Sequence, residues 1–235
     1  MSKAVFDVKI GGDFACFTNP ALKVERCSYP MITPGAARGV LESIFWKPEI
    51  RFEIRQIKVL KPIKQISIMR NEIKDRQTKE PIVIEKGKQR QQRGSLILKD
   101  VEYVIRTEII QKAGRHSLEA YKDQFQRKLE KGQYHHTPYL GTREFAAWFE
   151  PADGSEEAEE PVTLAIGRML FDIAYCESAE RAEIRFHRRD SKKEKTYTVK
   201  GYAHALYFDA ILKNNVLEVP REKYNELYEL EGNHV

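Results

Sequence analysis

The chain has 235 residues, 41% of them hydrophobic, with 40 Lys and Arg against 35 Asp and Glu. That balance is enough for a packed core and excludes a wholly disordered chain. Nowhere do about 18 apolar residues run together, and the N-terminus MSKAVFDVKI leads directly into an alternating pattern, so neither membrane spanning nor secretion is expected.

Residues 4–10 (AVFDVKI) alternate as a half-buried strand and stop at Gly11-Gly12. Thr33 then offers an N-cap and Pro34 a first helical residue. Ala37, Val40, Leu41, Ile44 and Phe45 recur at helical spacing until Pro48 ends the run. Residues 50–60 alternate again, with Phe52 and Ile54 inward, Ile57 the next candidate, and Arg51, Arg55 and Lys58 outward: a basic-faced strand. A second strand covers 62–70. The stretch KGKQRQQR (86–93) holds four cations and no acid and reads as a loop or hairpin tip.

Residues 96–111 form a long strand pattern, followed by a helix from about Ser117 to Lys131 whose apolar stripe is Leu118, Tyr121, Phe125 and Leu129. The segment QYHHTPYLGT is irregular, and residues 143–150 resume as a strand. Further strands are expected at 162–176, 182–189, 195–208 and 216–219, with a basic turn at 188–195. The order predicts an α+β protein: a ferredoxin-like (RRM-like) βαββαβ domain over residues 1–150 and a C-terminal antiparallel β-sheet domain over 151–235.

The net charge of +5 understates the basic character of the body, because EPADGSEEAEE (150–160) holds six carboxylates and no cation. Outside it 40 basic groups face 29 acidic ones, a balance of +11. A basic body with one segregated acidic loop points to a polyanionic partner; the alternative is a surface charged only for solubility. Cys16, Cys27 and Cys176 show neither close pairing nor zinc spacing, so a reducing cytoplasm and no metal are expected. The P-loop, GxGxxG and HExxH patterns are absent.

Two fragments combine cations, aromatics and proton-transfer groups: ITPGAARGVLESIFWKP (32–48) and YKDQFQRKLEKGQYHHTPYLGTREF (121–145). Cations neutralise phosphates, exposed aromatics stack on unpaired bases, and hydroxyl, imidazole or ammonium groups act on a ribose 2′-OH. The combination fits RNA. Candidate RNA contacts are Trp46, Lys47, Arg51, Arg55, Lys86, Lys88, Arg90, Arg93, His135, His136, Arg143, Arg188 and Arg189. Each also has a plainer reading, as a packed aromatic or a solvated cation.

ARGVLESIFWKP followed by a basic strand, then QFQRKLEKGQ leading into HHTPYLGTREF, resembles the CRISPR-associated Cas five family in its type I-C, subtype d form, over roughly the first 150 residues. The resemblance implies a metal-independent, cofactor-free endoribonuclease. Such a protein cuts repeat hairpins in precursor CRISPR RNA, leaves 2′,3′-cyclic phosphate and 5′-OH ends, and stays on the 5′ handle of the guide RNA with other subunits of a type I-C interference complex. The family pattern has a Tyr in the SI(Y)WKP motif, where this chain has Phe45, and a Lys-His pair at the start of the second helix, where it has Ala120 and Tyr121. The catalytic groups implied are therefore Tyr121, Lys122, His116 and Arg115, displaced from the family positions. A non-cleaving guide-RNA cap and a double-stranded DNA-binding protein are the alternatives.

Overall fold

The computed structural model describes residues 4–22, 24–74, 84, 89–112, 116–190 and 195–232, the side chains of 189, 190 and 195 excepted. In chain order the elements are β1 (Ala4–Ala15), β2 (Arg26–Cys27), α1 (Pro34–Ile44), β3 (Ile50–Val59), β4 (Lys64–Ile73), β5 (Arg90–Gln111) and α2 (Leu118–Glu130). Then come β6 (Trp148–Pro151), β7 (Leu164–Glu177), β8 (Ile184–Asp190), β9 (Lys195–Lys213), β10 (Val216–Glu218) and α3 (Glu222–Leu230). The result is a mixed α/β protein built on one large sheet with few helices.

The strand order is β6-β1-β5-β3-β10-β9-β7, with β2 and β4 also on β5 and β8 on β9. Every pairing but that of β2 is antiparallel. The long β5 organises the first half, pairing β1 along one edge and β3, then β4, along the other. Asp100, at φ 54°, marks the break between the β3 and β4 registers. The sheet crosses residue 150 without a break, because β10 joins β3 to β9, and one cluster of buried side chains draws on both halves of the chain.

Both long helices start as their sequences predict. The Thr33 hydroxyl accepts from the Ala36 amide and Pro34 opens the first turn, while Ser117 caps α2 through the Ala120 amide. Their apolar stripes meet at Phe125, which is fully buried among Phe6, Phe45 and Phe52 at ring-centroid separations of 5.0, 6.1 and 5.0 Å. Phe45 is a core residue. A bulge between Ile54 and Gln56 restores Ile57 to the core side after the alternation would have turned it outward.

α3 is not legible in the strand-dominated pattern of the C-terminal part, although Tyr224, Leu227 and Tyr228 follow Pro220 at helical spacing. It packs on β7, and its tyrosine side chains reach the first half of β3. The Tyr224 hydroxyl donates to Ile54 O and accepts from Ile54 N, and the Tyr228 hydroxyl donates to Glu53. Arg51 and Arg55, expected on an open basic face, are consequently inside: Arg51 is 9% exposed with its guanidinium 4.0 Å from the Tyr228 ring, and Arg55 is tied to Glu53 and Glu108.

α1 is fastened to β7 by a bidentate pair, Arg38 Nε and NH2 to Asp172 Oδ2 and Oδ1 at 2.8 and 2.9 Å, with Glu42 on the third guanidinium nitrogen. A Cβ on Gly35 would meet Asp172 Oδ1 and Phe171 O at 3.0 Å each, so glycine permits this close approach. Asp172 is 7% exposed, and removing one partner leaves the other charge uncompensated. Asp172→Ala is therefore expected to lower stability by about 3 kcal/mol, seen as a fall in the urea midpoint at unchanged slope.

Candidate functional site

The end of α1, the first half of β3, the end of β5 and α3 surround a cleft of about 780 Å³, closed on the far side by β7, β8 and β9. One wall carries Trp46, Lys47, Arg51 and Lys112; the other carries Tyr175, His187, Arg188 and Tyr197. Trp46, Tyr175 and Tyr197 are 53%, 44% and 47% exposed, which leaves their rings open to a ligand. The last turn of α3 brings Glu231 into the same space.

Local geometry explains why these groups converge. The amides of His135 and His136 both donate to Ser43 O, at 2.9 and 3.0 Å, so the irregular loop after α2 caps the end of α1 just before Trp46-Lys47. Lys112 N donates to Glu49 O at 2.8 Å, bringing the end of β5 beside the turn that follows Lys47. Gly141, at φ +85°, lets that loop run against β1: a Cβ there would fall on Cys16 O, and Cys16 N donates to Leu140 O.

Among the implied catalytic residues, His116 is exposed at the approach to α2, its ring edge-on to Tyr121 at 6.0 Å and its carbonyl accepting from Gln111. Tyr121 is 2% exposed, and burial, then the Glu49 charge, pushes its pKa up, so at neutral pH it is a protonated donor. Lys122 is partly buried and pairs with Glu119 at 2.9 Å. Arg115 lies outside the described residues.

The expected RNA contacts divide by place. Trp46, Lys47, Arg51 and Arg188 line the cleft, and His135 and His136 are exposed beside the end of α1 with their rings 4.2 Å apart. Arg188 NH2 donates to Tyr175 O. Arg90 and Arg93 lie on the far part of β5, Arg93 facing Glu72 at 3.8 Å, and Arg143 is exposed on the loop whose Glu144 pairs with Arg70. Lys86, Lys88 and the side chain of Arg189 lie outside the described residues. Lys112, Tyr175, His187 and Tyr197 are cleft residues that sequence reasoning missed; only the aromatic-basic run RFHRR of β8 hinted at one of them.

The electrostatics are asymmetric. On the sheet face opposite α1 and α2, cations are matched: Arg106 with Asp7, Lys9 with Glu102 and Glu150, and Arg55 with Glu53 and Glu108. The acidic loop is pinned at the other end of β3, where Lys58 donates to Glu156 O and Asn215 to Glu160 O. Seven strand residues, about 23 Å, separate that point from Arg51. In the cleft, Arg51 NH1 has no hydrogen-bond partner, an exception that calls for an anion or water there. Glu231 is pushed up by burial, against the pull of the Arg51 and Arg38 charges.

Among the described residues no group of three or more His, Cys, Asp or Glu could hold a metal ion, and no helix is long and apolar enough to cross a membrane.

The sequence model of a family described as CRISPR-associated protein (Cas_Cas5) matches residues 6–219. The chain belongs to the Cas5d family. The chain is 49% identical over 228 residues to the CRISPR pre-crRNA endoribonuclease Cas5d of Thermus thermophilus, covering 97% of this chain and 96% of that protein. It is 40% identical over 189 residues to the protein of the same name from Mannheimia succiniciproducens, covering 71% and 83%. A solved structure described as a CRISPR-associated protein shares the fold with a TM-score of 0.62 at 20% identity, covering 95% of each chain. Trp46, Lys47 and Pro48 thus form the near wall of the cleft, and His135-His136 cap the helix that leads into it.

The tyrosines beneath the cleft fix its response to alkali. Burial raises the pKa of Tyr224 and Tyr228, with Glu53 adding to the effect at Tyr228. Below the unfolded-state value of about 10, both states hold these protons and stability is complete. Above it the unfolded chain ionises first, so stability falls as pH rises. Urea midpoints should drop beyond about pH 10, and Tyr228→Phe should flatten the drop.

Proposed function

We infer that this chain is the endoribonuclease that processes CRISPR repeat RNA, and that the cleft between α1 and the β7–β9 strands is where it holds and cuts the transcript. The observation that carries the cleft assignment is Arg51: a nine-tenths buried guanidinium with an unpartnered N–H, lining a space that also holds Lys47, Lys112 and exposed aromatic rings. A phosphate satisfies such a group, and unpaired bases stack on such rings. The strand order β6-β1-β5-β3, with α1 and α2 as crossovers on one face, supports a ferredoxin-like βαββαβ unit over residues 1–150. The part after 150 then serves as the opposite wall.

The reading includes metal-independent cleavage. A ribose 2′-oxygen attacks the adjacent phosphorus, a base takes its proton, an acid protonates the departing 5′-oxygen, and cations stabilise the dianionic transition state. His116 and Lys122 at the start of α2 are further proton-transfer candidates, together with Arg115, the residue before His116 in the sequence, and Tyr121 acts as a donor. Retention of the 5′ handle and work beside other interference-complex subunits in the cytoplasm complete the proposal. The relatives' printed name, pre-crRNA endoribonuclease, supports the activity. The rival is a guide-RNA cap without cleavage; double-stranded DNA is a weaker alternative, because exposed rings suit unpaired bases.

Incubating the pure protein with its cognate repeat hairpin in EDTA should give a 2′,3′-cyclic phosphate and a 5′-OH end. Tight binding without product would leave the cap reading. Lys47→Glu and Lys112→Glu should each weaken repeat binding and lower the slope of log affinity against log salt by about one, measured by titration at several ionic strengths.

A further inference from the structure

We propose that His187 is a catalytic proton-transfer residue of RNA cleavage, acting from the cleft wall opposite Trp46 and Lys47; the inference rests on the endoribonuclease reading. In-line displacement sets the geometric requirement. As the bond from the 2′-oxygen to phosphorus forms, the bond to the 5′-oxygen breaks on the opposite side. The proton leaving the 2′-oxygen and the proton arriving at the 5′-oxygen are thus handled on opposite sides of the phosphorus. Proton-transfer groups are needed on both walls.

The near wall holds ammonium groups, Lys47 and Lys112, and no imidazole. Phe45, Tyr121 and Lys122 are not among its lining residues: Phe45 is buried and has no proton to exchange, Tyr121 holds its proton, and Lys122 is paired with Glu119. His116 stands outside the cleft at the approach to α2, its carbonyl accepting from Gln111. Across the cleft, His187 on β8 is the only histidine that lines the space, among the described residues. Imidazole is the side chain that exchanges protons near neutrality.

Its setting is constructed rather than incidental. His187 and Thr198 are direct cross-strand partners on β8 and β9, and Nδ1 lies 3.2 Å from the Thr198 hydroxyl. That contact orients the ring and leaves Nε2 without a partner among the described residues. Lys47, Arg51, Lys112 and Arg188 supply positive charge to a phosphate in the same space, and Glu42, Glu177 and Glu231 are the carboxylates that face it, Glu42 being paired with Arg38. Glu177 lies 3.7 Å from Arg188 Nε.

The test compares the full-length protein with His187→Ala and His187→Gln under single-turnover conditions across about pH 5 to 9, on two substrates. One is the cognate repeat; the other carries sulfur in place of the bridging 5′-oxygen at the scissile linkage, mapped first with the unmodified protein. The sulfur leaves as a thiolate and needs no proton. Both variants should bind the repeat as the unmodified protein does and cut it at least about 100-fold more slowly. Recovery on the sulfur substrate makes His187 the acid. Equal loss on both substrates, with the acid limb of the pH–rate profile abolished, makes it the base.

A loss that is the same at every pH and on both substrates means His187 only positions RNA, and overturns the proposal, as does cleavage at the unmodified rate. If the unmodified protein itself fails to cut, the endoribonuclease reading falls and this inference falls with it.

Discussion

The cleft exists because Arg38 and Asp172 hold α1 and β7 at a fixed spacing. Its walls come from parts of the chain more than a hundred residues apart, and apolar packing alone, being non-directional, would let one slide on the other. A planar guanidinium meeting a carboxylate through two parallel bonds does not permit that slide. Burial opposes the charge on Arg38, but the Asp172 and Glu42 carboxylates more than offset it and hold the group charged. Gly35 makes the approach possible, and Tyr224 completes the floor by bonding the edge of β3 while its ring packs 4.8 Å from Phe171 of β7.

Charge in the cleft is left partly unsatisfied, at Arg51 NH1 and Arg188 Nε. Across the sheet face opposite α1 and α2, Lys and Arg are matched by carboxylates from neighbouring strands, and the acidic loop is tethered beyond the other end of β3. The cleft itself gathers Lys47, Arg51, Lys112 and Arg188. In a recess with low-dielectric walls, such a cluster focuses the field on an incoming polyanion. The unpartnered N–H of Arg51 is the local sign of it.

Phe45 illustrates how the core constrains the chemistry. Phe45 stacks on Phe125 in the buried core, so at this position the chain contributes apolar contact and no proton. Tyr121 lies one turn before Phe125 on α2 and retains its proton through burial. On the proposed function, proton transfer belongs to groups on the rim of the cleft, where an imidazole or ammonium remains hydrated enough to exchange, and aromatic rings beside them keep the transcript's bases in place.

Elements whose signals are local were legible in the sequence. Thr33-Pro34 and Ser117 start helices because capping depends on neighbours three residues away, and alternation marks β1, β3 and β5 because one face of each is buried. The motifs around Trp46-Lys47 and HHTPYLGTREF identify the family and two flanks of the cleft. Which cations stay available was settled by the packed fold alone. Arg51 and Arg55 read alike in an alternating strand, yet one keeps an unpartnered NH1 beneath Tyr228 while the other is consumed by Glu53 and Glu108, since partners such as Glu108 and Tyr228, more than fifty residues away in the chain, leave no periodic trace. For the same reason His187, an ordinary residue of a basic strand in the sequence, meets Lys47 and Lys112 across a common space only once β10 has joined the two halves of the sheet.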